Sequence, residues 1–317
     1  MVQESDRTQE LGNKPHLCGV KTAVYFKMGG LEERLTCLIG KDMEYVLLEA
    51  ADGASASVTT HGAHICSWIP AGGQEQLFLS KTSELREGVA IRGGVPVIFP
   101  QFSALGALPK HGFARTAIWR LSRSGQTVTG AAQAVFELQE SAASLQIWPH
   151  VFRAELTVTI AQDNMQIELT VLNNGNTAFD FTCALHSYFA VEQIAAVRLH
   201  GLAGLHYRDM VANTEDNLEG NISLTIAGEV DRIYADLPAS IELRQPQQSL
   251  QISQSGFADA VIWNPGAEKG SSLSDLEPDG YRHMLCVEAA AIMRPIQLAP
   301  GMSWTGSQSL TVLPKEN

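Results

Sequence analysis

The chain has 317 residues, of which 45% are hydrophobic and 18% charged, ordinary globular proportions that exclude disordered and fibrous classes and allow a sizeable core without staples. Thirty-four acidic against twenty-two basic residues give a net charge of -12, the wrong sign for a partner of nucleic-acid backbones or anionic membranes. A small anion remains compatible, because a few arginines in a cleft can oppose the net field.

Residues 1–18 are polar and unpatterned and are expected to form a mobile tail. The first thirty residues lack an apolar signal-peptide core and carry acids early, so neither a secretory signal nor a transit peptide is expected. No stretch approaches the roughly 18 apolar residues of a spanning helix. The five cysteines are odd in number and widely spread, which suits a reducing compartment, and a cytoplasmic protein is expected.

From about Lys21, short apolar runs alternate with turn residues. ASVTTHGAHICSWI reads as strand, and on a strand His61 and His64, three apart, would point to opposite faces; with no acid or cysteine to complete a set, no metal site is expected. Gly88–Arg115 is the longest weakly patterned stretch, and long loops of this kind are often functional. It sets Arg92 beside Gly93 and Gly94, then gathers Lys110, His111 and Arg115. Paired glycines let a backbone approach a ligand, and guanidinium forks grip phosphate or carboxylate, so an anion pocket is one reading. A glycine turn with arginines paired to surplus acids is the other.

Beyond AAQAVFELQE comes the clearest periodicity: Leu156, Val158 and Ile160, then Met165, Ile167, Leu169 and Val171, alternate with polar residues on either side of an AQDN turn. In FDFTCALHSYF, Phe179, Phe181, Cys183 and Leu185 fall on one face, and Thr182, Ala184, His186 and Tyr188 on the other. A histidine there suits proton transfer at neutral pH, or is simply a satisfied structural group. Asp231 of EVDRIY follows an Ala-Gly turn signal and suits either an Asx turn or a site carboxylate. SLTIA, SIELR, SLQISQ, VIWNP and SQSLTVL repeat the strand-like spacing. In MLCVEAA, Met284, Cys286 and Glu288 share a face. A carboxylate in so apolar a strand is pushed towards the pKa of a general base, unless it reaches solvent or an arginine.

Many short strands and no long helical stripe predict a large antiparallel sandwich, with residues 19–317 as one domain because no linker divides them. The chain lacks a P-loop, a dinucleotide fingerprint and a nucleophile elbow.

Taken in order, HGAHICSW with LFLS, IRGGVPVIFPQF, LPKHGFAR, FTCALHSYF, DRIY, VIWNP and MLCVEAA resemble the glucose-6-phosphate 1-epimerases of the aldose 1-epimerase superfamily, over about Thr59–Leu310. The resemblance implies an all-β, galactose-mutarotase-like β-supersandwich of antiparallel strands. It implies His186 as general acid and Glu288 as general base, with Arg92, Gln101, His111, Arg115 and Asp231 holding a hexose 6-phosphate. No cofactor is implied, and a monomer is expected. The chain has Ser103, Lys110 and Gly266 where such proteins commonly have glycine, glutamine and tryptophan. An epimerase of unphosphorylated aldoses and a silent sugar-phosphate-binding module are the alternatives. A glycosidase would need a second carboxylate across the bond.

Overall fold

The strongest alternation in the sequence becomes a hairpin, Phe152–Ala161 with Asn164–Asn173, in a computed structural model that describes residues 43–237 and 240–314 and the short strands Ala23–Val24 and Cys37–Ile39. The tail expected at residues 1–18 lies outside the described residues. Ile160 faces Met165, Val158 faces Ile167 and Leu156 faces Leu169, all with no exposure. Burying each such side chain contributes about 1.5–3 kcal/mol, which is why a one-residue slip of register is forbidden here.

This hairpin lies inside a nine-stranded sheet, ordered Ser223–Leu224, Arg198–His200, Ser240–Arg244, Ser249–Ser255, Ser303–Leu313, Asn164–Asn173, Phe152–Ala161, Ala132–Gln139, Arg120–Gln126. A second sheet runs through Thr214–Leu218, His206–Asp209, Val230–Tyr234, Asp259–Asn264, Met284–Leu298, Phe179–Leu185 and Val97–Ile98, with Tyr188–Ala190 also paired to Met284–Leu298. A third, five-stranded sheet includes Glu44–Glu49, Ser55–Thr59 and Ile65–Ile69. Neighbouring strands in all three pair antiparallel. Among the described residues, helix is confined to short pieces such as Ala142–Ile147 and Gly266–Ser272.

One apolar core joins the sheets. Leu185, Leu285, Val287 and Ala289 of the second sheet pack with Leu156, Ile167 and Leu169 of the first and with Val46, Val58 and Ile65 of the third. The expected face separation therefore appears in space, with Leu285, Val287 and Ala289 turned into this core while Met284 and Cys286 join a separate outer cluster with Phe78, Tyr188 and Leu276. Glu288 is on that outer face too, since strand side chains alternate.

Candidate active site

Sheet register assembles the site. Leu185 stands opposite Ala289, and Tyr188 opposite Cys286, three residues on along each strand. His186 consequently falls opposite Glu288, and both lie on the outer face. His186 Nε2 is 3.3 Å from Glu288 Oε1, with Glu288 1% and His186 8% exposed. Cross-strand partners share a face, so Asp231, Trp263, Cys286 and Tyr188 form a row beside this pair, through the contacts Asp231 with Trp263, Trp263 with Cys286, and Cys286 with Tyr188. Asp231 is a strand residue, and the Asx-turn reading is set aside.

The register is latched from behind. Ser187 Oγ donates to Gln308 Oε1 at 2.6 Å, and Gln308 Nε2 donates to the Val287 carbonyl at 3.1 Å. Gln308 belongs to the nine-stranded sheet, and it and Ser187 are fully buried. Each bonded residue of the second sheet is the immediate neighbour of His186 or Glu288.

The Gly88–Arg115 segment runs along the edge of the second sheet beside His186. Backbone bonds Tyr188 N to Gly94 O (2.9 Å), His186 N to Pro96 O (3.0 Å) and Thr182 N to Pro100 O (3.0 Å) lay it along the strand that carries His186. The glycines after Arg92 serve this packing rather than an approach to ligand. Gly94 has φ +59, and a Cβ there would meet the Ile65 carbonyl oxygen at 2.1 Å and His64 Nε2 at 2.6 Å. His61 and His64 occupy the turn between two strands, not a strand; His61 Nε2 bonds the Val89 carbonyl at 2.8 Å.

Arg92 reaches back to the pair through Tyr188. Its Nη1 donates to the Tyr188 hydroxyl at 3.0 Å, its Nη2 contacts Asp275 Oδ2 at 3.0 Å, and its guanidinium lies 5.8 Å from the Trp263 ring. The Tyr188 ring stacks on His186 at 4.8 Å with planes 9° apart. Arg115 is half-buried, and its Nη2 donates to the Lys110 carbonyl at 3.2 Å. His111 stands edge-on to His186 at 5.7 Å. Its Nδ1 accepts from Ser103 N at 3.2 Å, so the ring proton is assigned to Nε2.

The electrostatics are those of buried groups held near neutrality. Burial pushes the Glu288 carboxyl well above its usual range, with Asp231 adding to the shift. Burial lowers His186 well below its usual value, and the neighbouring His111, Arg92 and Arg115 push the same way. His111 falls to about 3, through burial and then the cations Arg115, Lys110 and Arg92. Asp231 rises to about 6, chiefly through burial. Arg92 is held firmly charged, since Tyr188 and Asp275 more than offset the effect of burial.

Gln101 has a different place. Its Nε2 donates to the carbonyls of Ser103 (3.1 Å) and Leu108 (3.0 Å), and its Oε1 accepts from Leu108 N (2.9 Å). The amide braces the loop that presents His111. Ser103 and Gly266 also gain a reason. Ser103 has φ +49, a conformation that favours glycine. Gly266 has φ +64, and a Cβ would strike Glu229 N at 2.6 Å, so the turn here admits no larger residue without moving. Lys110 is exposed at the rim. Sequence reasoning passed over Tyr188, Trp263 and Asp275 as site residues. Tyr188 was findable as the residue two beyond His186 on the same face, whereas Asp275 carries no local signal.

Two clefts lie away from the His186–Glu288 pair. One of about 580 Å³, lined by Phe113, Ile118, Glu137, Ser144 and Ile147 among others, contains none of these residues. A smaller one of about 280 Å³ reaches Asp275, the partner of Arg92.

A family model described as Aldose 1-epimerase matches residues 44–311, the span that holds every residue of this constellation. The chain belongs to the aldose 1-epimerase family. It is 34% identical over 281 residues to a Cenchrus ciliaris protein named "Putative glucose-6-phosphate 1-epimerase", covering 86% of this chain and 85% of that one. An Escherichia coli K12 protein of the same name is 35% identical over 240 residues, covering 74% and 79%. A crystal structure from Salmonella typhimurium, titled "putative mutarotase (YeaD)", superposes with a TM-score of 0.83 at 29% identity over 92% of this chain and 97% of that one. As an aldose 1-epimerase family member with the galactose-mutarotase-like β-sandwich, the chain is an isomerase that interconverts sugar anomers. No helix among the described residues is long and apolar enough to cross a membrane.

Proposed function

We propose that this aldose 1-epimerase acts on glucose 6-phosphate or a closely related hexose 6-phosphate, with Glu288 as general base and His186 as general acid. The observation that carries the reading is local charge. A chain of net charge -12 gathers Arg92, Arg115 and Lys110 beside the buried His186 and Glu288, and the field of both arginines is felt at His186. The names of the relatives from Cenchrus ciliaris and Escherichia coli agree with it.

Ring opening requires two proton transfers on oxygens that share one carbon, so the acid and the base must be close together. The 3.3 Å contact of His186 and Glu288 meets that demand. Glu288 takes the proton of the anomeric hydroxyl; that O–H bond pair becomes the second C1–O1 bond. The C1–O5 pair leaves with O5, which takes a proton from the His186 imidazolium. The free aldehyde turns about C1–C2, and closure on the other face returns each proton. Each group of this kind contributes about 10²–10⁴-fold.

The phosphate does more than anchor. Arg92 and Arg115 supply charge-assisted bonds that fix the sugar's register against the acid and base. Burial, with these cations adding to it, holds His186 neutral in the free enzyme. A phosphate dianion offsets their field, favours the imidazolium and so prepares the acid on substrate arrival. His111, with its proton on Nε2, and Asp231 are assigned to the sugar hydroxyls, and Gln101 to shaping the His111 loop. The buried free thiols of Cys66, Cys183 and Cys286 suit the reducing cytoplasm. The acidic surface disfavours nucleic acid as a partner.

The test is anomeric exchange followed by NMR on glucose 6-phosphate and on glucose, with and without the enzyme. Acceleration of the phosphate ester well beyond that of glucose is expected. Equal acceleration of both sugars overturns the phosphate assignment, and no acceleration of either by folded protein overturns the acid–base assignment as well.

A further inference from the structure

We propose that His186, Cys286 and Glu288 form a binding site for a borderline-soft divalent cation of the zinc class. One nitrogen, one sulfur and one carboxylate oxygen from these residues lie within 4.8 Å of one another, and all three residues are buried. Among the described residues this is the group of histidine, cysteine and acidic side chains that converges so closely. Ligand bonds of zinc put neighbouring donor atoms about 3.3–3.8 Å apart in a tetrahedron, so shifts of about 1 Å bring the three atoms onto one ion.

Three further observations favour such an ion. His186 Nε2 and Glu288 Oε1 are already 3.3 Å apart, a tetrahedral spacing. Glu288 Oε2 and His186 Nδ1 are buried without a hydrogen-bond partner among the described residues, leaving both side chains free to reorient. The register fixes Cys286 and Glu288 two residues apart on one strand face, with His186 directly across. The donor set matches zinc and disfavours magnesium and calcium, which require oxygen ligands. A thiolate and a carboxylate neutralise the two positive charges. Binding releases the Cys286 thiol proton and the proton of the Glu288 carboxyl to solvent, and His186 ligates through the Nε2 lone pair with its ring proton on Nδ1. Water completes the coordination.

An ion in this position occupies both side chains assigned to proton transfer, so zinc blocks turnover and competes with the sugar phosphate. That consequence rests on the proposed acid–base roles; the binding does not. Cys286 thereby gains a role that anomer exchange does not give it.

The experiment titrates the metal-free full-length protein with cobalt(II), followed by absorption, and in parallel measures anomer exchange against zinc. Expected is a thiolate-to-cobalt charge-transfer band that saturates, is removed by zinc and is lost in Cys286→Ser. Zinc for half-inhibition should rise by roughly 10–100-fold or more in that variant, since even a partner outside the ligand set is worth that much affinity. Cys286→Ala serves if serine at this buried position prevents folding. Absence of the band, or a band that survives loss of Cys286, overturns the site. A band that depends on Cys286 with turnover indifferent to bound zinc upholds the site and overturns instead the acid–base assignment.

Discussion

Replacing Glu288 by glutamine separates chemistry from packing. The side chain is 1% exposed, its Oε2 has no partner among the described residues, and its Oε1 contacts His186 at 3.3 Å. Glutamine keeps the volume and that contact but cannot accept the anomeric proton. Losing the base should cost about 10²–10⁴-fold in turnover, or about 2.7–5.4 kcal/mol of barrier at 1.36 kcal/mol per tenfold. Stability should move the other way. Burial raises the Glu288 pKa, so the native state holds its proton more tightly than the unfolded chain, and ionisation destabilises the fold as pH rises above the unfolded value. Glu288→Gln removes that penalty. Its melting temperature at neutral pH should equal or exceed the wild type's, and the gap should close as pH falls below the unfolded value of about 4.3. Anomer exchange by NMR and thermal melts across pH read both quantities. A variant keeping more than about a tenth of wild-type turnover would refute the base assignment, and one melting well below wild type at neutral pH would refute the energetic argument.

Arg92→Ala should raise KM for glucose 6-phosphate by about 10–100-fold, the worth of a charge-assisted hydrogen bond of about 1.5–3 kcal/mol, while leaving glucose kinetics within a few-fold; equal losses on both substrates in steady-state assays would show that Arg92 acts on the sugar ring or the fold. His111, lowered to about 3 in the native state, stays neutral there while the unfolded chain gains a proton below about 6.5. The stability this contributes is intact above the unfolded value and is lost as pH falls towards the folded one, at about 1.4 kcal/mol per pH unit. Urea unfolding of wild type and His111→Gln between those limits should give curves whose difference has this slope, and parallel curves would contradict a neutral buried imidazole.

The parts of the site that sequence made legible are those that strand alternation controls. Period two put Cys286 and Glu288 on one face and His186 and Tyr188 on another, and the sheet turned both faces the same way. The hairpin at 152–173 was readable for the same reason, because each apolar position buries fully. What alternation could not supply is the pairing of distant strands. Nothing near Asp275 announces that it holds Arg92, and nothing near Gln101 shows that its amide closes on Leu108. The RGG motif suits either a ligand's approach or a turn, and only the fold shows that Gly93 admits the backbone of Phe78 and Leu79 and Gly94 that of Ile65. Contacts between segments far apart in sequence decide such cases.

The latch formed by Gln308 makes the distance between His186 and Glu288 a property of the interior. Slipping the Met284–Leu298 strand by one residue would turn Glu288 into the apolar core, turn Val287 to the outer face, and strip the buried amide of Gln308 of its Val287 partner. A molecule with the wrong spacing of His186 and Glu288 is therefore also an unstable one, and the population that survives folding is already sorted for that spacing.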